Sequence, residues 1–381
     1  MATVETILES IQSEPELRNN ITFWKTIPAQ LPRYGPWPDL FAPAIRALLQ
    51  KRGIEELYTH QSEAVARVLQ GDHVIVVTPT ASGKTMCYNL PVLHHLTQIN
   101  PEARALYLFP TKALSQDQVL ELQDLSSGLG AKIKVHTFDG DTPASARRAI
   151  RNSGHIVVTN PDMLHTGILP HHTLWIRLFE NLQYVVVDEV HHYRGVFGSH
   201  LANLVRRLKR ICRFYGSNPQ FICCSATIAN PKELAEKLFE QPFTLIDNNG
   251  APRGEKHFLF YNPPVINEEL GIRKSVINEA SRLATKFLLK GIQTIVFGRS
   301  RLRVELLTTY LKRAMQRAKK NPDLIRGYRG GYLPNERRDI EEGTRTGRYL
   351  GVVSTNALEL GIDIGQLKVA VLAGYPGTIA S

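Results

Sequence analysis

The sequence predicts an α/β protein of two tandem parallel sheets covered by helices, and three observations carry that prediction. Short apolar runs rich in β-branched residues recur along the chain. Segments of helical length separate several of them. One polar stretch with Gly and Pro, LIDNNGAPRGEKH (245–257), interrupts the alternation. Continuous apolar strands are what a parallel sheet buried on both faces requires.

In the first half the runs are HVIVVT (73–78), RALYLF (104–109), KIKVHTF (132–138), HIVVTN (155–160), LQYVVVD (182–188) and QFICCSA (220–226), with helices expected at 198–214 and 231–239. The second alternation is FLFY (258–261), a helix across 272–289, TIVF (294–297), a helix across 301–319, YLGVVS (349–354) and KVAVLA (368–373). These place one domain at 54–245 and another at 258–381, joined by a linker at 246–257. Residues 1–53 are expected to form a leader that packs on the first domain. Within it LPRYGPWPDL (31–40), with three prolines, reads as extended chain whose aromatics anchor it.

A length of 381 residues suits two domains, and 43% hydrophobic content excludes a disordered chain. No uncharged apolar run reaches the roughly 18 residues of a membrane span. The N-terminus, MATVETILESIQSEPEL, is acidic and polar, unlike a signal peptide, so a cytoplasmic compartment is expected. Cys87, Cys212, Cys223 and Cys224 form no CxxC pair. They are expected as buried thiols without a zinc site, with Cys223 and Cys224 on opposite faces of a strand. The formal charge of +11 favours polyanions as partners.

The strand HVIVVT runs into Pro79-Thr80-Ala81-Ser82-Gly83-Lys84-Thr85, a phosphate-binding loop at its GK[ST] end, with Thr78 at the usual first glycine. There the backbone N–H groups face the phosphates, Lys84 neutralises the β- and γ-oxygens, and the Thr85 hydroxyl is a ligand for Mg²⁺ of the bound ATP. A second strand ends in Asp188-Glu189-Val190-His191. Asp188 is placed to hold Mg²⁺ and Glu189 to orient and deprotonate the attacking water. Upstream, the Gln61 amide can pair with both donor and acceptor positions of adenine, and Tyr58 can stack on the base or simply pack. No NKxD tetrapeptide occurs, which argues against guanine.

LYTHQ (57–61), TPTASGKT (78–85), FPTKALSQDQ (109–118), FDGDT (138–142), TNPDML (159–164), DEVH (188–191), SAT (225–227), TIVFGRSR (294–301) and STNALELGIDIG (354–365) stand in one order. That order, over residues 54 to about 377, resembles a superfamily 2 helicase with two RecA-like domains sharing ATP. DEVHHYRGVFGSH, CSATIANP, YRGGYLPNERR and TNALELGIDIG resemble the DEVH-box DNA helicases related to mitomycin repair factor A. The resemblance implies 3′→5′ movement along DNA, as a single strand or tailed duplex, in repair. It assigns backbone-phosphate contacts to Pro110, Thr111 and Lys112 and to Thr159, Asn160 and Pro161; both groups also read as helix caps. It gives Ser225 and Thr227, with His191, a coupling role. In the second domain it places Arg299, Ser300, Arg329 and Thr355 on the strand and Asp363 at the nucleotide. The basic run 301–320 reads as a solvated helix face, ahead of a direct DNA contact.

The family's next motif, QxxGRxGR, supplies arginines to the γ-phosphate, and this sequence reaches GYPGTIAS (374–381) before it. The second domain is accordingly expected to be incomplete, and these residues to bind ATP but hydrolyse it slowly, since an arginine finger contributes ~10³ to 10⁵ in rate. An RNA-remodelling ATPase of the same superfamily, or a non-catalytic nucleic-acid-binding module, are the competing expectations. Contacts to phosphates do not identify the sugar.

Overall fold

The structure, a computed structural model, describes residues 3–39, 41–355, 358 and 367–375. It divides into two units, Ala29–Gly254 and a second made of Met1–Pro28 with Glu255–Ser381. Both are built on parallel sheets flanked by helices, the α/β architecture expected.

The first unit holds seven parallel strands: β1 (Val74–Val77), β2 (Arg104–Leu108), β3 (Val135–Thr137), β4 (Ile156–Thr159), β5 (Leu182–Val187), β6 (Gln220–Ser225) and β7 (Thr244–Ile246), in the order β7-β1-β6-β5-β2-β4-β3. Every residue of β1, β2, β4 and β6 is buried, because helices cover both faces. Ile75 and Val77 enter one core with Leu106, Val185 and Phe221, while Val74 and Val76 enter the opposite core with Tyr88, Tyr107 and Ile222. Each such fully buried aliphatic side chain contributes roughly 1.5–3 kcal/mol relative to exposure. Cys223 and Cys224 divide between the two cores, and all four cysteines are buried and free.

β7 was not read from the sequence, where Leu245 begins the linker. Thr244, Leu245 and Ile246 pair with Val74, Ile75 and Val76 at the sheet edge, so the connecting segment starts only after them.

In the second unit β8 (Thr294–Gly298), β9 (Ile325–Tyr328), β10 (Gly351–Ser354) and β11 (Val369–Ala373) form a parallel sheet in the order β9-β10-β8-β11. The helices Val276–Leu288 and Arg301–Arg317 pack on it through Ala284, Leu288, Val304, Leu307 and Leu311. FLFY (258–261) lies outside this sheet, contrary to expectation. The strand Lys256–Tyr261 pairs antiparallel with Ile21–Ile27.

That pairing also divides the leader. Residues 29–53 lie in the first unit, where Pro43–Lys51 forms a helix and Tyr34-Gly35 pairs with Leu57-Tyr58. Residues 3–28 belong to the second unit. Ile7, Leu8, Ile11 and Leu17 are buried against Phe287 and Ile292, and Glu16 pairs with Lys274 at 3.4 Å and Arg282 at 2.8 Å. The apolar face of the helix Val4–Ser13 meets one side of Val276–Leu288, which the four-stranded sheet leaves uncovered.

Leu17→Ala removes a fully buried side chain from that contact and should cost about 2–5 kcal/mol in the second unit. Native-state hydrogen exchange checks it: protection should fall along Val276–Leu288 and stay unchanged along β1.

Candidate nucleotide and nucleic-acid site

Parallel pairing puts the ends of the first unit's strands on one edge. Val77 is level with Ser225, and Val187 with Cys223 and Leu108, so the segments after β1, β5 and β6 leave the sheet side by side. Phe109 N–H bonds Thr159 O at 3.0 Å, and Asp188 N–H bonds Leu108 O at 3.1 Å, carrying the alignment one residue beyond the strands.

After β1 the chain turns through Ala81 (φ +61°) and Gly83 (φ +76°) into the helix Lys84–His94. Thr78 and Ser82 are buried and their hydroxyls meet at 2.6 Å, closing the base of the loop. Thr80 and Ala81 are exposed and Thr85 half-buried at the helix start. The Lys84 ammonium donates to Thr78 O at 2.8 Å and Pro79 O at 3.3 Å, folded over the loop that phosphate oxygens would fill.

Two strands away Asp188 is buried, accepting Glu189 N–H at 2.7 Å and the Tyr88 hydroxyl at 3.2 Å. Burial, then the neighbouring Glu189, pushes its carboxyl up to about 6. Burial raises Glu189 as well, against the pull of Lys84. Glu189 adopts left-handed backbone (φ +53°), unusual for a β-substituted residue. Its Oε2 lies 3.2 Å from His191 Nδ1, but that nitrogen accepts Ala226 N–H at 3.2 Å and burial holds the ring neutral. The contact is therefore no charged pair, and Glu189 Oε2 is buried without a hydrogen-bond donor among the described residues. A carboxylate oxygen held this way suits a water or solvated cation as its missing partner.

Magnesium fits these residues. No cluster of three or more His, Cys, Asp or Glu able to hold a metal occurs among the described residues. Mg²⁺ keeps several waters and is held by one or two protein oxygens plus substrate phosphates, which the Thr85 hydroxyl and Asp188 would supply.

Gln61 lies behind the loop, its Oε1 accepting Tyr58 N–H at 3.0 Å and its Nε2 donating to Gly83 O at 3.0 Å. Those bonds fix the amide and leave it one donor and one acceptor for a base. Beside it a cleft of about 510 Å³ is lined by Tyr34, Tyr58, Gln61, Met86, Ala251 and Pro252 with Ala81–Gly83. Tyr34 and Tyr58 stack at 5.6 Å. Sequence reading missed Tyr34, Tyr88, His60 and the 251–252 turn; the aromatics next to proline at 31–40 were the one available signal for the first.

The remaining assignments separate. Ser225 lies 3.5 Å from His191 Nδ1, as a coupling pair would, while Thr227 is exposed. Thr111 caps the helix Lys112–Gly128, accepting Leu114 N–H at 3.4 Å, and Pro110 precedes it half-buried. Asn160 caps Pro161–Met163, accepting Met163 N–H at 2.8 Å, with Pro161 buried in the first turn. The Thr159 hydroxyl is buried and donates to Phe138 O at 2.6 Å, so its proton is committed within the fold. Arg299 is exposed, and Ser300 caps Arg301–Arg317 through Arg303 N–H at 3.3 Å. Arg329 donates to Glu305 at 2.7 Å with its guanidinium 5.0 Å from the Tyr332 ring centre. Thr355 is half-buried after β10. Asp363 lies outside the described residues.

The matches with known families and proteins agree with this arrangement. Residues 58–234 match the DEAD/DEAH box helicase family and residues 279–381 the helicase conserved C-terminal domain. The structure of the DUF1998 helicase MrfA bound to DNA is 55% identical, with a TM-score of 0.94 over 100% of this chain and 50% of that one. This chain is a superfamily 2 helicase of the MrfA-like family. A second structure of MrfA, bound to DNA and AMPPNP, superposes equally well, at a TM-score of 0.94. Among curated proteins, the uncharacterized ATP-dependent helicase YprA of Bacillus subtilis is 57% identical over 98% of this chain and 50% of its own. The ATP-dependent helicase hrq1 of Schizosaccharomyces pombe is 40% identical over 100% of this chain and 37% of its own. The chain thus spans about half or less of these relatives' length. No helix among its described residues is long and apolar enough to cross a membrane.

The raised Asp188 carboxyl gives a stability test. The folded chain holds that proton more tightly than the unfolded one, at about 6 against 3.8, so without nucleotide its stability falls as pH rises between about 4 and 6. Asp188→Asn should flatten the slope, leaving the part that the raised Glu189 contributes, and raise stability at pH 7.5. Thermal unfolding in EDTA at pH 5 and 7.5 checks this.

Proposed function

We propose that this chain is the motor of an ATP-driven DNA helicase that moves 3′→5′ and serves DNA repair in the cytoplasm. The observation that carries the reading is Glu189 Oε2, without a donor among the described residues, beside buried Asp188 and on the same sheet edge as the Lys84 loop. A half-buried acid in left-handed backbone, with one carboxylate oxygen shut off from solvent, costs stability. Next to a phosphate loop it is placed to orient a water for attack on the γ-phosphate and to receive its proton. The base would sit against Tyr58 and Gln61, Lys84 would meet the β- and γ-oxygens, and Thr85 and Asp188 would hold Mg²⁺, which supplies charge neutralisation when bound.

DNA as partner is supported by the +11 charge and by the relatives whose structures hold DNA. The helix starting at Lys112 begins at the end of β2 on the nucleotide edge, and a helix N-terminus favours phosphate oxygens. Exposed Arg299 and Ser300 at the end of β8 give the second unit a comparable place. Contacts of this kind follow the backbone and predict little sequence preference.

In the protein that carries this chain, ATP hydrolysis should rise with single-stranded DNA more than with RNA, and a 3′-tailed duplex should unwind faster than a 5′-tailed one. Preference for RNA or for the 5′ tail would overturn the substrate or the polarity. Lys84→Ala should abolish ATP binding, whereas Glu189→Gln should keep it and lower kcat by about 10²–10⁴.

A further inference from the structure

Two neighbouring side chains grip two consecutive peptide carbonyls of the phosphate loop. Gln61 donates to Gly83 O at 3.0 Å, and His60 Nε2 lies 3.0 Å from Ser82 O. His60 is fully buried, and its Nδ1 accepts the N–H of Gly250 at 3.2 Å. A ring nitrogen that accepts carries no proton, so the proton of the neutral ring sits on Nε2 and is donated to Ser82. In a trans peptide the N–H points opposite its carbonyl. Holding Ser82 O therefore turns Gly83 N–H away from His60, and holding Gly83 O does the same to Lys84 N–H. These belong to the first N–H groups of the helix Lys84–His94, which have no partner within a helix. Successive N–H groups turned to one side make a concavity for anions.

The other half of the bond is equally constrained. A Cβ on Gly250 would come 2.3 Å from Arg33 O and 2.5 Å from Thr59 Oγ1, and the Thr59 hydroxyl donates to Asn248 O at 2.9 Å. The 248–250 segment is tied to its neighbours by these contacts and by Arg33 N–H donating to Gly250 O at 2.8 Å, and the residues after it, Ala251 and Pro252, line the cleft beside Gln61.

We propose that His60 is a positioning residue for the nucleotide's phosphates: through Ser82 it aims the Gly83 N–H into the loop, and through Gly250 it ties that aim to the turn lining the base cleft. This rests on the loop being an ATP site. It separates His60 from Gln61, whose amide keeps bonding capacity for the base, and it explains why a buried position between two loops holds a donor–acceptor ring where an apolar side chain would fill the same volume.

His60→Phe keeps the ring volume and loses both bonds. His60→Gln can place an amide N–H where Nε2 stands and keep the bond to Ser82. ADP and ATP are titrated by calorimetry and adenosine by NMR, alongside steady-state ATPase in the protein carrying this chain. His60→Phe should weaken ADP and ATP about 10- to 100-fold, the effect of one to two lost bonds to a charged ligand. Adenosine affinity should stay within about 2-fold, KM should rise with kcat changed only a few-fold, and His60→Gln should restore most of the ADP affinity. Equal losses for adenosine and ADP would show a packing role and overturn the proposal, as would unchanged ADP binding. Should His60→Phe fail to fold, His60→Asn, too short to reach Ser82 O, takes its place with the same expected loss. A wild-type chain that fails to bind ATP, or a Lys84→Ala chain that binds it normally, would sink the ATP reading itself, a result distinct from either outcome at His60.

Discussion

The parallel pairing of β1, β6, β5 and β2 is the constraint on which the first unit depends. In a parallel sheet every strand leaves by the same edge, so a single register places the segments after Val77, Ser225, Val187 and Leu108 side by side. Antiparallel pairing of the same runs would send half of them to the opposite end. The register is secured by burial on both faces: shifting β6 by one residue would exchange Cys223 with Cys224 between cores and misalign Ser225 with Val77. Chemistry at the edge is thus held by packing well below it, in line with the rule that ligands of open α/β sheets bind at the carboxyl ends of strands.

Legibility in the sequence followed the same physics. The central strands were readable because burial on both faces demands uninterrupted apolar residues, and HVIVVT and QFICCSA contain little else. β7 and β9 were not. Thr244–Ile246 is three residues at an edge, and Ile325–Tyr328 carries Arg326 and Gly327, so neither shows a periodic signal. The division of the leader was also hidden, because Ile21–Ile27 pairs with residues some 235 positions away and local pattern cannot encode that partner. The same holds for FLFY, whose half-exposed phenylalanines fit an antiparallel ribbon better than a covered parallel sheet.

At the site, the residues proposed to touch ligand were legible and the residues that hold them were not. Lys84, Thr85, Asp188 and Glu189 announce themselves because phosphate and metal chemistry allows few substitutes and fixes their spacing. His60 sits between Thr59 and Gln61 in the first turn of a helix and resembles any buried ring; its meaning comes from Ser82 and Gly250, 22 and 190 residues away. Tyr88 is equally silent, one turn after Lys84, yet its hydroxyl reaches Asp188 across 100 residues. Thr159 shows the converse. Its neighbours suggest a phosphate contact, but its hydroxyl is spent inside the fold.

The arrangement is costly, and the cost explains its support. Two carboxyls crowd together, one buried and one half-buried, Ala81 and Glu189 occupy left-handed backbone, and one carboxylate oxygen lacks a donor among the described residues. Each left-handed residue alone costs of the order of 1–3 kcal/mol. None of this would persist unless the surroundings over-determined it. Leu108 O fixes Asp188 N–H, His191 takes Ala226 N–H, and His60 with Gln61 clamps the loop, so relaxation at one point requires breaking bonds at another. A site preorganised in this way gains most from what neutralises its charge. Magnesium and a triphosphate would relieve the repulsion between Asp188 and Glu189 and give the turned-in N–H groups their acceptor, so part of the cost of folding the site returns as affinity for the nucleotide.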